Sequence, residues 1–139
     1  MRLVHIATGD SITLPNDLLW EDEFDWSPVL SDHGYSTTGA LFVDKWIRQA
    51  GRPISLRAAQ DDMGWVPRAT VATLNAWSGP TMAGATFRLE FEYPTDTRTF
   101  NVIFDCTEGN PPITAVPVAG FPGHRPQDWF RITIKFTEV

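Results

Sequence analysis

Apolar and polar residues alternate with a period of two along much of this chain, and proline and glycine interrupt the alternation at short intervals. Successive side chains of a β-strand point to opposite faces, so this period is typical of strands that bury one face. The 11 prolines and 10 glycines divide the 139 residues into short segments, because proline ends helices and glycine favours turns. The pattern therefore predicts a mostly β fold built from short strands.

The clearest alternation predicts a β-hairpin and one further strand. Two alternating runs lie between Ala85 and Asp105, and turn-forming residues from Pro94 to Thr97 separate them. A third run covers residues 128–139. We expect the apolar faces of these runs to share one core. The residues expected on them are Phe87, Leu89, Phe91, Tyr93, Phe100, Val102, Phe104, Phe130, Ile132, Ile134 and Phe136.

Other segments predict five more strands and one helix. The strand segments, each bounded by Gly, Pro, Asn or Asp, are 2–7, 11–14, 27–35, 39–48 and 52–58. Val71, Leu74 and Trp77 are instead spaced three apart, and Pro67 before them suits a first helical turn. We expect a short helix over about 67–77. The whole predicts a single-domain antiparallel β-sandwich or a partly closed β-barrel over residues 1–139.

A segment rich in proline and glycine covers about 107–127. Its prolines exclude a continuous helix, although 113–118 suits a short extended piece. Long loops in compact domains are often binding elements. Because Val116, Val118 and Phe121 are apolar, we expect an ordered arm that contacts a neighbouring molecule. An arm folded on its own domain is the alternative.

Charge and cysteine content exclude several functions. The chain has 17 acidic and 11 basic residues, a net charge of −6, and its basic residues are scattered singly. No basic face is therefore expected for nucleic acid. A single cysteine, Cys106, excludes an internal disulfide and a cysteine-rich metal site within one chain. No apolar run is long enough for a membrane span or a signal peptide, so we expect a protein made in the cytoplasm without a membrane partner.

No group of residues predicts catalysis or a cofactor. His5, His33 and His124 lie far apart, and only His33 has an acidic neighbour, Asp32. No serine lies in a G-x-S-x-G motif, and phosphate-loop and dinucleotide motifs are missing. An acidic cluster lacks the rhythm of a calcium loop, so we interpret it as a solvated or partner-facing turn. It consists of Glu21, Asp22, Glu23 and Asp25. We expect no enzyme, no cofactor and no metal.

Six tryptophans are unusual in a domain of this size, because so many indoles are hard to bury with every N–H bonded. We expect Trp46 and Trp77 in the core or at its edge. Some of the others are expected at an interface. Two or three indoles in a flat exposed platform beside polar side chains would indicate a sugar-binding module.

A turn-like segment holds the candidates for that interface. Trp20, Phe24 and Trp26 lie within seven residues of one another, among the acidic cluster. Carboxylates resist burial without partners, and aromatic anchors surrounded by charge are typical of an interface with a wet rim. A plug for the end of the chain's own barrel is the alternative. The cationic residues expected to meet this segment from a neighbouring subunit are Arg48, Arg52 and Arg57.

Four stretches of the sequence resemble a known group of proteins. They are DLLWEDEFDWSPV at 17–29, TGALFV at 38–43, AGRPISL at 50–56 and WVPRAT at 65–70, with Tyr35 between the first two. In these stretches the chain resembles small tail-tip proteins encoded in the tail cluster of long-tailed bacteriophages and related prophages. That group is similar to the distal tail, or baseplate ring, proteins.

The resemblance implies a structural virion protein at the tail tip, made in the host cytoplasm. It implies a β-sandwich or barrel that forms a homo-oligomeric ring or collar between the tail tube and the tip hub proteins. It also implies no cofactor and no catalysis. Larger distal tail proteins append a carbohydrate-binding-like domain, for which this chain is too short. The alternative functions are a carbohydrate-binding β-sandwich module involved in host recognition and, third, an enzyme or small-molecule binder.

Overall fold

The described part of the chain is mostly β. The structure is a computed structural model, and it describes residues 1–120 and 123–139. It contains 44% strand and 12% helix, and its strands pair antiparallel without closing into a barrel. This confirms the predicted class and is consistent with a single-domain β-sandwich.

The elements follow one another along the chain as short strands with one α-helix. The strands are β1 (Arg2–His5), β2 (Ser11–Thr13), β3 (Leu18–Trp20), β4 (Val29–Tyr35), β5 (Leu41–Ile47), β6 (Pro53–Ala58), β7 (Trp65–Pro67), β8 (Phe87–Glu90), β9 (Thr99–Phe104), β10 (Ile113–Pro117) and β11 (Trp129–Glu138). The helix, α1, spans Arg68–Trp77, and single 3-10 turns lie at Pro80–Met82 and Thr107–Gly109.

Two sheets result from these strands. The main sheet runs in the order β2, β1, β8, β9, β11, β6, β3, and β7 and β10 also pair with β11. Strands β4 and β5 form a separate two-stranded sheet. The five early strand segments contain β1, β2, β4, β5 and β6 as predicted. The sequence pattern does not predict β3 and β7, because three residues are too few to show a period.

The predicted helix is present, and proline defines where it begins. It starts at Arg68, one residue later than expected, because Pro67 ends β7 and caps the helix with an extended backbone, ψ 151°. Leu74 and Trp77 are buried as predicted, and the Trp77 ring stacks on Phe87 with centroids 5.3 Å apart. The helix thus adds one apolar face to the core of the sheet.

The expected shared core of the hairpin and the last strand is confirmed. Phe104 joins their faces, since its ring lies 5.1 Å from both Phe87 and Phe136, centroid to centroid. The sheet also curls, so that its terminal strand β3 lies against the β8–β9 hairpin, where Trp20 stacks on Phe91 at 5.6 Å. The buried members of the core cluster from these runs are Phe87, Leu89, Phe91, Val102, Ile132, Ile134 and Phe136.

Part of the proline- and glycine-rich segment is a strand of the chain's own sheet. Residues 113–117 form β10 and pair with β11, with Ile113 opposite Ile134 and Pro117 opposite Phe130. Ile113 and Ala115 pack against the core. For Ile113 and Ala115 the alternative holds, an arm folded on its own domain, because their side chains pack against the core, whereas Val116 is 47% exposed. Phe121, on which the expectation of an arm directed at a neighbour also rested, lies outside the described residues.

Candidate functional site

The β4–β5 hairpin has no partner strand within the part of the chain that the structure describes. It is inserted between β3 and β6, which pair with each other in the main sheet. Every residue of β4 and β5 is exposed except Gly34, which is half-buried. Seven residues per strand make a ribbon about 23 Å long. Isolated two-stranded hairpins are at best marginally stable in water, so this ribbon needs a cover that the described residues do not supply.

Hydrogen bonds and a glycine at the tip of the hairpin hold its two strands together locally. Ser36 N–H donates to the Ala40 carbonyl at 2.8 Å, and Ala40 N–H donates to Ser36 Oγ at 3.0 Å. Gly39 takes φ +85°, the left-handed conformation that closes a three-residue hairpin loop. At the base, Arg48 N–H donates to the Pro28 carbonyl at 2.7 Å. The ribbon is therefore closed at both ends by backbone hydrogen bonds.

Both faces of the hairpin expose apolar side chains. One face carries the cross-strand pairs Val29 with Ile47, Ser31 with Lys45, His33 with Val43, and Tyr35 with Leu41. The other face carries Leu30 with Trp46, Asp32 with Asp44, and Gly34 with Phe42. Soluble monomers rarely leave such contiguous apolar surface in water. Trp46, which we expected in or near the core, is 53% exposed, because β5 leaves the main sheet.

Two carboxylates oppose each other in the middle of this ribbon. Asp32 and Asp44 are direct cross-strand partners, and like charges in that position destabilise a strand pair. Among the described residues no ion pair neutralises either one. An interface that brings a cation to this row would remove the repulsion.

Trp20, predicted at an interface, belongs to the core instead. Its side chain is 8% exposed, it stacks on Phe91, and it meets Phe100 edge-on at 5.5 Å. Arg52 and Arg98 lie over the indole, with Cζ atoms 4.8 and 5.3 Å from its centroid. The placement follows from β3, a strand too short to be recognised in the sequence.

The three predicted arginines do meet the aromatic and acidic segment, but within the same chain. The guanidinium groups of Arg48 and Arg52 lie 5.8 and 5.9 Å from the ring of half-buried Trp26. Arg52 Nη2 also donates to the Glu23 carbonyl at 2.8 Å. Arg57 forms an ion pair with Glu21. The expected contact between subunits is corrected for these pairs, because β3 and β6 pair and bring the two segments flanking the hairpin together.

Phe24 is the member of the predicted interface set that stays accessible. Its side chain is 89% exposed, in the turn that leads from β3 to the hairpin. This exposed aromatic ring, five residues before β4 in the chain, adds to the apolar surface that the hairpin presents to solvent. The structure therefore places the accessible part of the site on the hairpin and Phe24, whereas Trp20 and the arginines support its base.

Arg98 ties the turn of the β8–β9 hairpin to this base. Its Nη2 donates to Glu23 Oε1 at 2.7 Å and to Asp96 Oδ2 at 2.8 Å. Hydrogen bonds from the Arg98 side chain and backbone lower the pKa of Asp96. The same side-chain hydrogen bonds, to Asp96 first and to Glu23 second, raise the pKa of Arg98.

We expect Asp96 to make the fold sensitive to acid. Because its pKa is lower in the folded chain, its contribution to stability is present above the unfolded pKa and is lost as the pH falls through the folded value, below about pH 4. Denaturant unfolding at a series of pH values measures this. Asp96→Asn should flatten the acid limb of the curve, whereas Asp62→Asn, an exposed carboxylate, is the matched control. An unchanged acid limb in Asp96→Asn contradicts the expectation.

Two exposed indoles form a second feature that the sequence did not predict. Trp65 on β7 and Trp129 on β11 are 38% and 51% exposed, and their centroids lie 6.4 Å apart with planes tilted by 40°. Trp65 Nε1 donates to the Asp61 carbonyl at 2.9 Å, and the Asp61 carboxylate pairs with Arg131. The two tryptophans are 64 residues apart in the chain, so only the β7–β11 pairing brings them together.

The described residues contain little else that suggests chemistry. No group of three or more His, Cys, Asp or Glu within residues 1–120 and 123–139 is placed to hold a metal ion. Buried His5 meets Thr8 Oγ1 at 2.8 Å through Nδ1, in the turn between β1 and β2.

Among the described residues no helix has both the length and the apolar character needed to cross a bilayer. No known protein family, curated protein or solved structure matches the chain.

Proposed function

We propose that this protein is a structural subunit of a phage tail tip or baseplate. In this role it assembles with further copies, through the β4–β5 hairpin, into a ring or collar that joins the tail tube to tip proteins. The observation that carries the assembly role is the hairpin itself, a ribbon with apolar side chains on both faces and no partner strand among the described residues. The resemblance in the sequence supports the phage setting.

A second copy of the chain is the occupant that fits this surface best. Tyr35, Leu41 and Phe42 near the tip are 76%, 54% and 56% exposed, so the apolar surface continues to the end of the ribbon farthest from the body. A projecting ribbon reaches a different surface on its neighbour, which is a heterologous contact. Repeated contacts of that kind close into a ring under cyclic symmetry. The ribbon then gains the cover that the described residues of its own chain do not supply.

Sugar binding has weaker support. The exposed Trp65 and Trp129 rings are adjacent, with the Asp61–Arg131 ion pair beside them, which favours a saccharide contact. Their planes are tilted by 40°, however, so they do not form one flat platform. The hairpin exposes eight large apolar side chains and this pair two, and we therefore place assembly before sugar binding.

Replacing the hairpin tests the proposal. Because Arg48 N–H already donates to the Pro28 carbonyl, residues 29–47 can be exchanged for a two-residue Asn-Gly turn without opening the body. We expect the natural chain to form oligomers and the shortened chain to be a folded monomer. Light scattering after size-exclusion chromatography measures the mass, electron microscopy shows whether rings form, and circular dichroism checks the fold.

Point variants separate loss of the interface from loss of the fold. Val43→Asp places a charge in the apolar face and should lower the oligomer fraction. Thr37→Asp adds the same charge in the exposed loop at the tip and should leave it unchanged. A natural chain that stays monomeric at its solubility limit, or a shortened chain that still forms rings, overturns the proposal.

A further inference from the structure

The two edges of the hairpin differ in how many backbone groups they leave free. The hydrogen bonds from Arg48 to Pro28 and from Ser36 to Ala40 set the ladder, so that odd-numbered residues direct N–H and C=O away from the partner strand. On β4, side chains bind two of these N–H groups: Ser27 Oγ accepts from Val29 at 3.2 Å, and Asp32 Oδ1 accepts from His33 at 3.0 Å.

The edge of β5 is open along its whole length. Its outward N–H groups belong to Leu41, Val43, Lys45 and Ile47, and among the described residues none of them has a hydrogen-bond partner. A row of four unpaired groups is a template for another strand. Strand addition at the hairpin is therefore expected on β5.

In the main sheet, β10 offers the longest free edge. The bonds from Lys135 to Pro112 and from Val118 to Trp129 turn the N–H groups of Ile113 and Ala115 outward, and no described residue bonds them. The other strands of the main sheet that have a single partner among the described residues, β2, β3 and β7, have three residues each, whereas β10 has five. The β10 sequence, ITAVP, carries no charge.

Charge disfavours the simplest alternative, in which β5 pairs with β5 of a second copy. Antiparallel pairing over the full strand places Asp44 opposite Asp44 of the second copy. Because Asp32 already lies opposite Asp44 within each hairpin, four carboxylates would form one row. Opposed like charges destabilise a sheet, so an uncharged edge is the better partner.

We propose that β5 of one copy adds to the β10 edge of the next copy, antiparallel, with Phe42 opposite Val116, Val43 opposite Ala115 and Asp44 opposite Thr114. This inference rests on the proposed function and names the surface that receives the hairpin. The addition is heterologous, so each copy donates β5 to one neighbour and offers β10 to the other. The sheet then continues from one subunit into the next around the ring.

The side chains on the face of Phe42 and Asp44 agree with this register. Phe42 and Val116, which are 56% and 47% exposed, cover each other. Arg131 lies opposite Val116 on β11, on the same face as Asp44, and its present partner Asp61 is 98% exposed. Exposed ion pairs contribute little to stability, so the guanidinium can turn towards the carboxylates of the hairpin at little cost.

Cysteine crosslinking tests the register. Phe42 and Val116 would form a non-hydrogen-bonded pair with Cα atoms about 4.5 Å apart, which a disulfide spans. In a Cys106→Ser background, Phe42→Cys protein is mixed with Val116→Cys protein and oxidised mildly. We expect a covalent dimer as the major product of the mixture, and little of it from either variant alone. The double variant Phe42→Cys with Val116→Cys should give a ladder of dimers, trimers and larger species.

The control moves one cysteine by two residues. Thr114→Cys lies diagonal to Phe42→Cys, at about 7–8 Å, and should crosslink poorly. Light scattering gives the mass of the unoxidised samples, which tests assembly itself separately from the β5–β10 register. Oligomers that give no dimer between positions 42 and 116 overturn this register and leave the assembly role standing. Monomers without crosslinks overturn both, and a dimer from Phe42→Cys alone overturns the register, because it places residue 42 of two copies side by side.

Discussion

Ile134→Ala is expected to lower the free energy of unfolding by about 2–5 kcal/mol. Ile134 is fully buried at the centre of β11, where it pairs with Leu56 on β6 and Ile113 on β10. Three strands meet at this side chain, so the backbone has little freedom to close the cavity that the truncation leaves. Denaturant unfolding followed by tryptophan fluorescence measures the loss.

Ile103→Ala is the matched control for this prediction. It removes the same atoms from a side chain on β9 that is 38% exposed, and the loss should be below about 1 kcal/mol. Phe91→Ala, in the other half of the same core, should cost about 3–5 kcal/mol. Losses below about 0.5 kcal/mol in both Ile134→Ala and Phe91→Ala would mean that the two faces do not share a core.

Trp20→Ala is expected to destabilise the body by about 3–5 kcal/mol, although its sequence neighbourhood suggests an interface residue. The indole packs between Phe91 and Phe100 below two guanidinium groups, so its removal opens the side of the core that β3 closes. Trp20→Phe should cost less, because it keeps an aromatic ring there and deletes an indole N–H that has no partner among the described residues. Thermal and denaturant unfolding measure both variants.

Phe24→Ala is the contrasting variant from the same segment. Its ring is 89% exposed, so the free energy of unfolding should change by less than about 0.5 kcal/mol. If Phe24 extends the assembly surface, the same variant lowers the oligomer fraction. A Trp20→Ala chain that keeps its stability would show that this indole is not part of the core.

The site is only partly predictable from the sequence. Strands of three residues leave no pattern, and neither do contacts between residues that are far apart in the same chain. The sequence predicts a contact between Arg52 of one subunit and the segment of Trp26 in the next. The two residues do meet, but within one chain, because β3 pairs with β6. Alternation in the segments 27–35 and 39–48 predicted two strands. That alternation does not show whether a strand joins the main sheet or leaves it.

Local pattern alone determined the mostly β class, the helix after Pro67 and the buried face of β8, β9 and β11. These features depend on the period of neighbouring residues and on the restricted backbone of proline, which act over a few positions. Tertiary structure alone decided that Trp20 is buried, that Trp46 is exposed, and that residues 113–117 complete the main sheet. Those outcomes depend on which strands pair across long stretches of chain, and the alternation of one strand is the same whichever partner it finds.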